Sequence, residues 1–99
     1  MVPAAGLKKI SIPVEIVAGE SDQNVPISSS AKYFAAEIPG AKLFIFHGNV
    51  AHYVFLDSCT DAGGRSVPAL CVDGKGVDRN VVHRDTAQMA NEFFGSTLK

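Results

Sequence analysis

The chain has ninety-nine residues, 46% hydrophobic and 19% charged, which holds one domain at most and excludes a disordered or low-complexity segment. Nine basic against ten acidic residues give a net charge of -1, without the basic footprint that a nucleic-acid partner requires. Apolar runs such as Leu43 to Phe46 are far too short to cross a bilayer, and Met1 to Leu7 lacks the basic start of a signal peptide.

Residues 10–18 predict a strand, with apolar positions alternating at Ile10, Ile12, Val14 and Ile16 and the run extended by Val17 and Ala18. Pro13 has to lie early in that strand or where no ladder donor is needed. Gly19 ends the run, and Glu20 to Pro26 reads as a loop. Within it, Asp22 lies just past the carboxyl end of a buried strand, where open α/β sheets bind their ligands. Taken alone, Asp22 suits a turn-forming role better, and Glu20 is a weaker candidate for the same chemistry.

Residues 28–38 predict a helix. Ser28, Ser29 and Ser30 offer N-cap oxygens, and Ala31, Phe34, Ala35 and Ile38 recur at helical spacing. Pro39 and Gly40 end it. A second strand follows over 42–46, apolar on both faces as an interior parallel strand is. Strand, helix and strand make a right-handed βαβ unit, hence an α/β fold class. Two strands alone are marginal and leave open edges. The chain is therefore expected to need more sheet, from an N-terminal part or by self-association as a homo-oligomer.

His52 follows the second strand, in a loop over 48–57 that ends in a short helical turn. Adjacent parallel strands lie about 5 Å apart, so loops at one edge can bring Asp22 and His52 into hydrogen-bonding reach. A carboxylate on one ring nitrogen leaves the other free as a general base. His47, at the strand end, is the rival histidine and is read as a supporting or surface residue. Ser28 to Ser30 read as caps rather than as a nucleophile.

Residues 58–76 form an excursion without long regular structure, holding Cys59 and Cys71. A disulfide in an exported protein and two buried free thiols both fit these cysteines, so the compartment stays open. Arg65, Asp73 and Arg79 read as polar loop residues, with Asp78 or Arg79 able to anchor the loop. Asp78 caps a last helix over 79–97, with Val82, Met89, Ala90, Phe93 and Phe94 as its buried stripe. His83 in that helix is read as solvated or capping. His47, His52, His83 and the cysteines lack the short spacings of a metal site, so neither metal nor cofactor is expected.

Acid loop followed by histidine loop is the order in which α/β-hydrolases set out a triad, after the nucleophile. Ile12 to Gly19 with Asp22 and Pro26 resembles the strand and acid loop of that superfamily. Ile38-Pro39-Gly40-Ala41 and His52-Tyr53-Val54-Phe55-Leu56 resemble its histidine end. Cys59-Thr60, Leu70-Cys71, Gly76-Val77-Asp78-Arg79 and His83 are similar to bacterial predicted dienelactone hydrolases. The resemblance implies the C-terminal portion of an α/β-hydrolase domain over residues 1–99, with Asp22 and His52 catalytic. The complete enzyme would act on a small-molecule ester or lactone. The Gly-x-Ser-x-Gly elbow of the family does not occur in this sequence. The resemblance therefore implies a serine or cysteine nucleophile and oxyanion donors supplied by an N-terminal half, and an inactive isolated chain. The alternative is an assembly module that self-associates through its sheet edges.

Overall fold

A computed structural model describes residues 2–98. It opens with a helical turn, α1 (Ala4–Leu7), followed by a strand, β1 (Glu15–Gly19), a helix, α2 (Ala31–Glu37), and a second strand, β2 (Lys42–Phe46). A 3₁₀ turn, His52–Phe55, leads to two short helices, α3 (Asp61–Ser66) and α4 (Pro68–Cys71). A long helix, α5 (Arg79–Thr97), ends the fold. β1 and β2 pair in parallel, with Glu15 opposite Lys42 and Gly19 opposite Phe46. This is a mixed α/β architecture around a two-stranded parallel sheet. Among the described residues no helix is long and apolar enough to cross a membrane.

The first strand is shorter than the alternation over 10–18 predicts. Its partner sets its start: the Pro39-Gly40 turn, with Gly40 at φ 70°, releases β2 into extended backbone only at Lys42. The Lys42 N–H bonds Val14 O at 3.0 Å, and residues before that have no neighbour to pair with. Ile12 is consequently left 69% exposed, and Pro13 precedes the ladder, where its missing N–H costs nothing.

α2 likewise begins at Ala31 rather than at Ser28. The serines do not cap it. Ser30 Oγ donates to Pro26 O at 2.7 Å and Ser29 Oγ to the same carbonyl at 3.3 Å, so these hydroxyls close the preceding turn instead of accepting from helix N–H groups. The first helical bond runs from Phe34 N to Ser30 O.

The excursion contains two short helices rather than loop alone. Thr60 Oγ1 accepts from Gly63 N at the start of α3, and a Cys59–Cys71 disulfide with Cα atoms 5.7 Å apart joins the residue before that cap to the last residue of α4. α5 starts at a true cap, Asp78 accepting from Asn80 N at 3.0 Å. Val82 is buried with Val50 and Val54, and Phe46 and Val77 pack against them. The expected stripe fails at its far end: Phe94 is 52% exposed, because the buried contacts of α5 gather around its first turns.

Candidate active site

β1 and β2 run in the same direction, so both following loops leave one edge of the sheet. They are tied together there by the Glu20 N–H donating to Phe46 O and the Ser21 N–H to Val50 O, each at 2.9 Å. Ser21 Oγ adds a bond to Gly48 O at 2.6 Å. Gly19 makes this approach possible. A Cβ at that position would overlap the backbone carbonyl of Val50, which is part of the segment carrying His52. Gly19→Ala therefore has to push the two loops apart at a cost of about 1–3 kcal/mol, the usual range for overpacking. Chemical denaturation should show the loss; an unchanged midpoint would mean that the loops yield freely.

The loops bring Asp22 and His52 together. Asp22 Oδ2 lies 2.9 Å from His52 Nδ1, while Oδ1 accepts from Val25 N at 2.8 Å and Asn24 N at 3.0 Å. Asp22 thus closes its own turn and holds the imidazole, so the two roles open to it in the sequence coexist. Burial pushes its carboxyl upward, but the Val25 N–H and the His52 imidazole outweigh this and leave the group below its ordinary 3.8. The carboxylate is ionised at neutral pH and can only accept, so in the neutral form of the ring the proton sits on Nδ1 and Nε2 has the free lone pair. The side chains are 15% and 37% exposed for Asp22 and His52, which shelters the carboxylate and leaves the imidazole accessible.

A depressed folded-state pKa adds stability that is fully present above the ordinary carboxylate value. That stability is lost as pH falls through the lowered one. Urea midpoints followed from neutral to strongly acidic pH should therefore decline, and Asp22→Asn should flatten the decline. Equal slopes for both proteins would remove Asp22 as a source of acid lability.

Supporting contacts surround the pair. Asn24 Nδ2 donates to Tyr53 Oη at 3.2 Å, and the Tyr53 ring meets the His52 ring edge-on at 5.0 Å. His83 is not solvated as its helix position suggests. It is half-buried, with Nε2 2.7 Å from Val54 O, and it fastens the 3₁₀ turn to α5. Arg79 takes the anchoring role open to it rather than that of a plain polar loop residue, being buried and bonded to Asp73 through both Nε and Nη2. Arg65 stays exposed. His47 is exposed and lies on Glu20 rather than on Asp22.

Ile16, Ala18, Phe34 and Phe55 line a cleft along β1 that Asp22 and His52 also border. Ser30 also borders it, but its hydroxyl is committed to the carbonyls of Val25 and Pro26. Among the described residues no group of three or more His, Cys, Asp or Glu side chains is arranged to hold a metal. The contacts of Ser21, Asn24 and His83 carry no sequence signal. Gly19 does carry one, since a glycine closing a strand marks close backbone approach. No protein-family model, curated protein or solved structure matches the chain.

Proposed function

We propose that this chain is the acid-and-base portion of an α/β-hydrolase that cleaves an ester or lactone through a serine or cysteine nucleophile. The observation that carries the reading is the Asp22–His52 pair, 2.9 Å apart, at the carboxyl edge of a parallel sheet. Its second support is β1, a strand paired on one side only, with the cleft beside Asp22 and His52 running along it. Further strands joining the sheet would bring the nucleophile and the oxyanion donors toward that cleft. They would also cover its apolar wall.

In the reaction His52 Nε2 takes the proton of the nucleophile as that atom attacks the acyl carbon. The imidazolium then protonates the departing alkoxide, leaving an acyl-enzyme. Water, deprotonated by the same nitrogen, attacks the acyl carbon, and the nucleophile leaves with the proton returned. Asp22 stays ionised throughout and stabilises the imidazolium. The Cys59–Cys71 disulfide favours an oxidising compartment for the complete enzyme.

The test joins this chain to the polypeptide encoded directly upstream of it, in cis or in trans. A short p-nitrophenyl ester and a fluorophosphonate serve as probes, with an iodoacetamide probe for a cysteine nucleophile. Turnover and labelling should appear only in the joined protein. Stoichiometric labelling of a serine within residues 2–98 alone would overturn the reading. The unpaired strand edge also favours a second reading, self-association as an assembly module. A joined protein without turnover, beside a chain that elutes as a defined oligomer in light scattering, would select it.

A further inference from the structure

Beside Asp22–His52 the same two loops make another acid–imidazole contact. Glu20 Oε2 lies 2.7 Å from His47 Nδ1, and Oε1 accepts from the Gly48 N–H at 3.1 Å. One carboxylate thereby holds both a side chain and a backbone group of the loop that follows β2. Gly48, at φ 89°, turns the backbone to present that N–H, and its own carbonyl takes the Ser21 hydroxyl at 2.6 Å. Glu20 is two residues from Asp22, and His47 is five from His52. The His47 hydrogen bond and the Gly48 N–H keep Glu20 below its ordinary 4.5, so it acts as a pure acceptor at neutral pH.

The location of the clasp is informative. Its side chains are 79% and 47% exposed for His47 and Glu20, and exposed ion pairs contribute little to global stability. Its leverage is local instead. β1 and β2 already pair through Gly19 and Phe46. From there the Asp22 loop is held on one flank by Glu20–His47–Gly48 and on the other by Asn24–Tyr53. The backbone bonds of Glu20 and Ser21 to Phe46 and Val50 set the spacing of the loops, and between the two clasps a hydrogen bond of 2.9 Å has to persist in one orientation of the imidazole.

We infer that Glu20 and His47 are positioning residues for the Asp22–His52 pair: Glu20, by gripping His47 and the Gly48 N–H together, fixes the β2 loop against the β1 loop and so holds His52 in its Nδ1–H form. The inference rests on the hydrolase reading of Asp22 and His52, and it assigns Glu20 no contact with substrate.

The readout is the ring tautomer of His52, measured by ¹⁵N NMR on this chain at a pH where its imidazole is neutral. A free histidine side chain favours the Nε2–H form, whereas the wild-type chain should show His52 as Nδ1–H. Glu20→Ala should cost His52 the dominance of that form. Glu20→Gln, which keeps an acceptor for Gly48 N, should retain more of it, and His47→Ala should shift it partway. Loss of loop stability alone would lower the unfolding midpoint without changing the tautomer. An Nδ1–H fraction unchanged in Glu20→Ala would overturn the inference. If that variant gives no dispersed spectrum, wild-type fractions in both Glu20→Gln and His47→Ala would overturn it equally. Asp22→Asn separates the two levels. Should it leave the tautomer unchanged, the catalytic-pair reading fails with the inference. Should it flip the tautomer while the Glu20 and His47 variants do not, the inference alone fails.

Discussion

His52→Ala in the joined, active protein should lower ester turnover by on the order of 10⁶-fold, the penalty for removing the general base from a nucleophile–His–acid unit. At 1.36 kcal/mol per factor of ten this is about 8 kcal/mol of transition-state stabilisation. The size follows from one nitrogen doing two jobs. In the proposed reaction Nε2 takes the nucleophile's proton and later gives it to the leaving group, so its loss would disable both half-reactions. Asp22→Asn should cost less, about 10⁴-fold, because the base survives but in the wrong tautomer. The amide can present an N–H where the carboxylate accepted, and Nδ1, 2.9 Å away, then has to be the unprotonated atom. The double variant should be no worse than His52→Ala alone, since an acid that acts only through the imidazole has nothing left to act on. Steady-state kinetics on one ester settle all three values. A His52→Ala enzyme within tenfold of wild type would overturn the assignment.

Which of these features the sequence made legible follows from where each physical cause resides. Local causes can be read. The Pro39-Gly40 stop puts a strand at 42–46, and the Asp78 cap puts a helix at 79–97, the same residues that the structure gives to β2 and α5. The approach of Asp22 and His52 is legible at one remove, because side chains following neighbouring parallel strands share an edge whatever the intervening helix does.

Non-local causes cannot be read. The start of β1 depends on where β2 begins, not on Ile10 or Ile12. The Ser29 and Ser30 hydroxyls are drawn to carbonyls at Val25 and Pro26, which a pattern of cap residues does not reveal. His83 is twenty-nine positions from the Val54 carbonyl that it bonds. A backbone acceptor has no side-chain identity to signal it. Phe94 misleads for a related reason: helical spacing says which face is apolar, and only the length of the neighbouring elements says how much of it is covered.

Arg79 has the largest expected effect on stability. Its side chain is 7% exposed, and it forms the bidentate pair with Asp73 at 3.0 and 2.8 Å. It also donates to Leu70 O at 3.0 Å and to Asp57 O at 3.2 Å. Hydrogen bonding to Asp73 raises its pKa, against the opposing pull of burial, so it is charged at every working pH. One side chain thus ties the start of α5 to the end of α4 and to the segment leaving the 3₁₀ turn of His52. Arg79→Met keeps much of the apolar stem but leaves a sheltered carboxylate and two carbonyls without their donor. Removing one partner from a buried pair costs about 3–5 kcal/mol, which for a domain of this size lowers the melting midpoint by roughly 15 °C or more. Removing Asp73 as well should restore part of the loss, because the uncompensated carboxylate disappears. A double-mutant cycle of Arg79→Met with Asp73→Leu measures that coupling. The double variant should melt above Arg79→Met yet below wild type, since Leu70 O and Asp57 O still lack their donor. If Arg79→Met instead melts within a few degrees of wild type, water satisfies these groups as well as the guanidinium does. The excursion would then owe its place to the Cys59–Cys71 disulfide and to bonds such as Asn49 Nδ2 to Lys75 O and Ser58 Oγ to Asn80 Oδ1.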